Sequence, residues 1–256
     1  MVLASRGWPG WWTVGWVTLA MVGGRTCAMA TNRVVDRIID ARNPRTAGRH
    51  LPRGVLRAVE MKALAAAGAV LMGVAAAMLN PLCLALAPLA LLFLVGYSYT
   101  KRFTWTSHWI LGFTDGIAAA GGWIAVRGHF DAPALVLWFA LTVWIAGFDL
   151  IYACQDVGFD RAHGLHSVPA RFGIPAALWV ARLNHLLTAA ALALLGVLTA
   201  LGPVYWVGWL VVVALLVYEH SIISARDLTR LDMAFFNVNG YIAVVVLVAT
   251  VGGLWL

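Results

Sequence analysis

Residues 132–160 read APALVLWFALTVWIAGFDLIYACQDVGFD. No charged residue interrupts the run from Ala132 to Phe148, and then Asp149, Tyr152, Asp156 and Asp160 arrive together. The apolar stretch 132–152 is long enough to cross about 30 Å of hydrocarbon as a helix. Lipid offers no water to backbone N–H and C=O groups, so such a run must close its hydrogen bonds within itself as a helix. A carboxylate held at the centre of a spanning helix costs roughly 2.5–3.5 kcal/mol. Acids gathered where a span ends are therefore kept for a use.

Seven further runs of the same kind lie at 8–30, 58–79, 82–100, 109–126, 174–201, 204–220 and 234–255. Tight turns are expected at Asn80-Pro81 and Gly202-Pro203, and polar stretches separate the other runs. Of the 256 residues, 62% are hydrophobic and only 11% charged, against about 25% charged in a soluble domain. Mean hydropathy is +0.85. The expected fold is all-α, a polytopic transmembrane helical bundle of eight spans, forming a single domain over 1–256.

The net charge of +7 belongs to orientation. Arg33, Arg37, Arg42, Arg45, Arg49, Arg53 and Arg57 crowd one loop. Lys101 and Arg102, Arg161 and Arg171, and Arg226 and Arg230 fall in loops on the same side, against Arg6 and Arg127 opposite. The rich side faces the cytoplasm by the positive-inside rule, which puts both termini outside. Short basic loops between apolar runs exclude nucleic acid as a partner and leave membrane lipid. Ala28-Met29-Ala30 has the form of a signal-peptide cleavage site, but Arg25 just before it and the unbroken run onward favour a retained span. Cys27, Cys83 and Cys154 lack metal-ligand spacing and read as free buried thiols. His50, His163, His166 and His185 also lack it, and read as surface or packing residues.

A second acidic cluster, Asn32-Arg33-Val34-Val35-Asp36-Arg37-Ile38-Ile39-Asp40, closes the first span. Asn32, Asp36 and Asp40 are spaced i, i+4, i+8, on one helical face. Tyr152, Asp156 and Asp160 repeat that spacing, with Asp149 about one turn earlier. Two acidic faces at the same side of the membrane suit Mg²⁺, which takes a few carboxylates with substrate phosphate oxygens and retained water. The competing reading is two solvated helix ends, with Asp36 and Asp40 neutralised by Arg33, Arg37 and Arg42. Arg45, Arg49 and Arg53 follow at intervals of four, and guanidinium groups grip phosphate. Pro44 and Pro52 break that stretch into a loop rather than a helix. Arg25 lies seven residues before Asn32, two turns deeper on the same face. Its anion is either a protein group or an acidic substrate.

These motifs resemble the UbiA superfamily of intramembrane prenyltransferases. Asn32, Asp36 and Asp40 are similar to its first aspartate-rich motif, and Asn43-Pro44-Arg45-Thr46-Ala47-Gly48-Arg49-His50-Leu51-Pro52 to the Arg-Thr…Arg-Pro segment after it. Tyr97-Ser98-Tyr99-Thr100-Lys101-Arg102 resembles the family's Tyr…Lys-Arg segment, and Asp149…Tyr152…Asp156…Asp160 its second motif. Within the superfamily the chain looks most like the 4-hydroxybenzoate polyprenyltransferase group. The run Gly164-Leu165-His166-Ser167-Val168-Pro169-Ala170-Arg171-Phe172-Gly173, with Asn237-Val238-Asn239-Gly240, resembles members acting on 1,4-dihydroxy-6-naphthoate in the futalosine route to menaquinone.

The resemblance implies Mg²⁺-dependent transfer of a polyprenyl group from polyprenyl diphosphate to a ring carbon of a hydroxylated aromatic acid. The setting it implies is ubiquinone or menaquinone synthesis at a bacterial-type inner membrane. It implies that Asn32, Asp36, Asp40, Asp156 and Asp160 hold two Mg²⁺ on the diphosphate, with added positive charge from Arg49, Lys101 and Arg102. Tyr152 would face the allylic cation, Arg25 would orient the acceptor carboxylate, and Asp149 would tune that site or take the ring proton. The family has nine helices, so eight spans imply that its first helix is absent. A CDP-alcohol phosphotransferase would instead need its aspartates in one cluster. A transporter would place acids near the midplane of inverted repeats. A scaffold of the same fold without activity stays open.

Overall fold

The computed structural model describes residues 1–255. Its elements are α1 (Val2–Ser5), α2 (Trp11–Arg42), α3 (Ala58–Leu79), α4 (Pro81–Gly96), a 3-10 turn (Tyr97–Arg102), α5 (Ser107–Arg127) and α6 (Ala132–Ala153). There follow a second 3-10 turn (Cys154–Asp156), α7 (Val157–Ala162), α8 (Val168–Phe172), α9 (Ile174–Leu198), α10 (Pro203–Ser221), a π-helical turn (Met233–Val238) and α11 (Asn239–Trp255). No strand forms among the described residues, where Ser224 and Asp227 make only an isolated bridge.

Among the described residues, seven segments are long and apolar enough to cross a membrane: Ala58–Leu79, Pro81–Arg102, Ser107–Arg127, Ala132–Ala162, Ile174–Leu198, Pro203–Ser221 and Met233–Trp255. They carry seven of the eight expected runs. The eighth, at 8–30, falls mostly within α2, a helix of 32 residues. Arg25 interrupts the apolar part of α2, and the rest is polar from Asn32 onward.

Two compact units are formed, one by Gly10–Thr100 with Ile124–His129, the other by Met1–Pro9, Lys101–Trp123 and Phe130–Leu256. In the first unit α2 packs along α3. Lipid tails are as apolar as the side chains, so such helices associate by close van der Waals fit, and small residues permit it. Gly23 and Gly68 face each other so closely that a Cβ on Gly23 would stand 2.6 Å from the Gly68 carbonyl oxygen. This contact turns Gly23, Gly24, Cys27 and Ala28 inward and leaves the opposite face of α2 for Arg25, Asn32 and Asp36. The Asn80-Pro81 turn forms as expected. Asn80 Oδ1 accepts from the Cys83 N–H at 2.9 Å to cap α4, and Pro81 fills the first position, where no N–H is required.

In the second unit α6 packs on α9, and α10 on α11. Leu150, Ile151, Cys154, Val168 and Ala177 form a core beneath the second acidic motif. Gly147 of α6 lies against the His185 imidazole, so His185 is a packing residue of α9, as its sequence context suggested. His185 Nδ1 lies 3.0 Å from His220 Nε2 in a buried polar cluster with Glu219. The three cysteines are free, with Cys27 and Cys154 buried.

Candidate active site

The first motif is carried by one face of α2, where Asn32 and Asp36 are half-buried. Asn32 Nδ2 donates to Asp36 Oδ2 at 2.9 Å, which orients that carboxylate. Asp40, at the end of the helix, is only 5% exposed. Its two oxygens accept from Arg49 Nη1 at 2.7 and 2.8 Å. Arg49 reaches it because residues 43–56 fold back as successive turns, tied by Thr46 Oγ1 donating to the Asp40 carbonyl at 3.0 Å. The salt-bridge partner of Asp40 is thus the loop arginine Arg49, with Arg33 of the same helix feeling both Asp40 and Asp36.

Arg25 is exposed on α2 and lines a groove of about 400 Å³ with Arg33 and the apolar Val22, Met29, Met61 and Leu64. Two guanidinium groups on an apolar floor suit an anion with an apolar body. A free ring carboxylate has that form.

The second motif does not keep straight α spacing. The chain tightens into the 3-10 turn Cys154–Asp156 before α7, and both Asp156 (8% exposed) and Asp160 (3%) are buried. Asp156 repels Asp160, and Lys101 attracts it. Three consecutive residues then tie this region together. The His166 N–H donates to the Lys101 carbonyl at 2.7 Å. Ser167 Oγ donates to Asp160 Oδ2 at 2.8 Å and also caps α8. The Val168 N–H donates to His108 Nε2 at 3.3 Å. The other nitrogen of that imidazole, Nδ1, lies 2.6 Å from Asp149 Oδ2, and His108 is wholly buried.

Tyr152 stacks on Phe235 with ring centroids 4.1 Å apart, and Phe236 meets it edge-on at 6.2 Å. Phe148 packs edge-on against Phe235 at 5.3 Å. Both phenylalanines sit on the π-helical turn, a distortion that recurs at functional sites. The ring faces carry partial negative charge and attract cations.

The donors present fit Mg²⁺. They are hard oxygens, namely carboxylates and one amide oxygen, and two mutually repelling buried carboxylates at 156 and 160 gain from a cation. Among the described residues no cluster of three or more His, Cys, Asp or Glu converges on a point. Each motif offers a pair, which leaves the remaining positions to phosphate and water. His108, Ser167 and Phe235 escaped the sequence reading of the site. His108 is 41 residues from Asp149, and no periodicity links them. Ser167 lies within the run read only as a family signature.

A model described as the UbiA prenyltransferase family matches residues 1–241. The 4-hydroxybenzoate octaprenyltransferase of Aeromonas hydrophila subsp. hydrophila is 30% identical over 249 residues, covering 97% of this chain and 86% of that protein. The protein of the same description from Paraburkholderia phytofirmans is 30% identical, covering 93% and 82%. Among solved structures, the apo form of a UbiA homolog from Aeropyrum pernix K1 matches with a TM-score of 0.88 at 30% identity, covering 97% of this chain and 91% of that one. A UbiA homolog from Archaeoglobus fulgidus, bound to GPP and Mg²⁺, shares the fold with a TM-score of 0.72 at 18% identity, covering 95% and 87%.

Proposed function

The chain belongs to the UbiA prenyltransferase family and is a membrane-embedded aromatic prenyltransferase, and from that premise we propose that it moves a polyprenyl group from polyprenyl diphosphate to a ring carbon of a 4-hydroxybenzoate-type acid. The observation that carries this reading is the second motif, where buried Asp160 lies beside Asp156 and meets the charge of Lys101 and the hydroxyl of Ser167. The relatives from Aeromonas and Paraburkholderia, by their descriptions, act on 4-hydroxybenzoate.

Asn32, Asp36 and Asp40 of one motif, and Asp156 and Asp160 of the other, are the residues that would hold Mg²⁺ against the donor diphosphate. Mg²⁺ held there would supply Lewis-acid neutralisation of the charge on the departing diphosphate. Lys101, Arg102 and Arg49 add fixed positive charge to the same group. Tyr152, backed by Phe235, presents a π face to the allylic carbon as its bond to oxygen breaks. Arg25 pairs with the acceptor carboxylate, and Asp149 takes the ring proton once the new carbon–carbon bond has formed. The apolar surroundings exclude water that would otherwise quench the cation. The arginine-rich loops support a cytoplasmic position for both acidic motifs at the inner membrane. The 164–173 run supports 1,4-dihydroxy-6-naphthoate as the acceptor to set beside 4-hydroxybenzoate.

The test is prenyl transfer in membranes with a polyprenyl diphosphate, with and without Mg²⁺, and with each acid in parallel. Mg²⁺-dependent ring-prenylated product from one acid is expected. The absence of diphosphate release under every condition overturns the reading.

A further inference from the structure

The tripeptide His166-Ser167-Val168 ties Lys101, Asp160 and His108 by three hydrogen bonds of 2.7, 2.8 and 3.3 Å. The bond to His108 decides the chemistry of that ring. A backbone N–H only donates, so His108 Nε2 must accept from Val168 and carry no proton. The proton of a neutral imidazole then sits on Nδ1 and points at Asp149 Oδ2, 2.6 Å away. The His108 side chain is 0% exposed, and the two hydrogen bonds fix its orientation. Asp149 keeps 15% of its side chain exposed.

We propose that His108 is a positioning residue, held by the Val168 N–H in the Nδ1-protonated tautomer, that fixes Asp149 as the proton acceptor of the ring-prenylation step. This rests on the proposed transfer to a ring carbon. In that step the bond from the prenyl C1 to the diphosphate oxygen breaks, and the diphosphate leaves with the electron pair. A ring carbon bonds to C1 with a pair from the ring. The C–H pair then returns to the ring, and the proton passes to the Asp149 carboxylate and on to water. His108 is not the base, because its one bare nitrogen is occupied by Val168. It holds one oxygen of Asp149 and thereby aims the carboxylate.

The experiment uses the full chain in membranes with a polyprenyl diphosphate, Mg²⁺ and the better of the two acids. Diphosphate release and ring-prenylated product are both measured. His108→Leu removes both hydrogen bonds. His108→Asn keeps a side-chain N–H close to the position of Nδ1, and His108→Gln keeps an acceptor toward Val168. Expected is a loss of product of at least ~100-fold in His108→Leu, the scale of acid–base catalysis, with diphosphate still released as prenyl alcohol forms. His108→Asn recovers most of the product and His108→Gln does not. Recovery by His108→Gln alone means that the ring only supports the 166–168 segment, and overturns the assignment. Equal loss of release and product in all three variants overturns it as well. Wild-type-like product in His108→Leu sinks this assignment alone, whereas a wild-type chain that releases no diphosphate sinks the transferase reading and this assignment together. Nitrogen-15 NMR of histidine-labelled wild-type protein, with the His108 signals assigned by their absence in His108→Asn, reads the tautomer without turnover. A proton on Nδ1 and a bare Nε2 are expected, and the reverse overturns the proposal.

Discussion

Both carboxylate oxygens of Asp40 rest on a single guanidinium nitrogen of Arg49, at 2.7 and 2.8 Å. The pair joins the last turn of α2 to the loop that follows, and its Asp40 side chain is 7% exposed against 31% for Arg49. A buried carboxylate deprived of its partner is strongly destabilising. Arg49→Ala is therefore expected to lower Tm by a few degrees in chelator, with Mg²⁺ returning most of the loss as it takes over the charge of Asp40. Thermal melts in detergent with and without Mg²⁺ test this, and a deficit that Mg²⁺ leaves untouched removes Asp40 from the metal set.

Asp36 is oriented by Asn32 at 2.9 Å, and Asp156 is buried beside Asp160. Asp36→Ala and Asp156→Ala are each expected to lower kcat about 10²–10³-fold, the scale of losing electrostatic stabilisation of developing charge. Full turnover in either variant sinks the metal assignment.

Arg25 lies in the groove with Arg33, about two turns before Asn32. A charge-assisted hydrogen bond contributes about 1.5–3 kcal/mol, so Arg25→Ala should raise the acceptor KM by about 10–100-fold while the donor KM holds. Steady-state kinetics with each substrate varied in turn separate the two. An unchanged acceptor KM removes Arg25 from the site.

Phe235 backs the ring of Tyr152 at 4.1 Å. In Phe235→Leu the ring stacked on Tyr152 is lost while the acids stay, so diphosphate release should persist and a larger share of the prenyl group should end as alcohol. The ratio of prenyl alcohol to ring product is the measurement, and a ratio equal to wild type dissociates the phenylalanine from the cation.

Gly68 permits backbone contact between α2 and α3, since a Cβ there would meet the Gly23 carbonyl oxygen at 2.6 Å. Gly68→Val is expected to cost about 1–3 kcal/mol or more, as overpacking does. Gly73, also on α3, has open space around its Cβ position, and Gly73→Ala should be neutral. Paired melts compare them, and equal stability of the two variants contradicts the close-contact argument.

The spans were legible because lipid forces backbone groups to pair within each segment, and the Asn80-Pro81 break was legible because the cap and the proline act locally. The partner of Asp40 was not. Helical spacing points to residues three or four away, such as Arg37, whereas Arg49 arrives through a loop folded back by Thr46. The link from His108 to Asp149 was likewise hidden, since it depends on how α5 and α6 lie together. The stacking of Phe235 on Tyr152 required the π-helical turn, and nothing in the composition of Met233–Val238 announces one extra residue per turn.

That extra residue separates the last helix into two independently phased parts. A regular helix turns about 100° per residue, so a face chosen at one end dictates the face at the other. The turn at Met233–Val238 absorbs one residue without passing its rotation on. Phe235 is thus phased for Tyr152, while Gly253, some five turns later, is phased for close approach to Tyr205 of α10. Deleting one residue from the turn would restore a regular helix, and either the aromatic wall or the helix pairing would then have to rotate out of place. The face toward Tyr152 and the face toward Tyr205 are thus set separately along one helix.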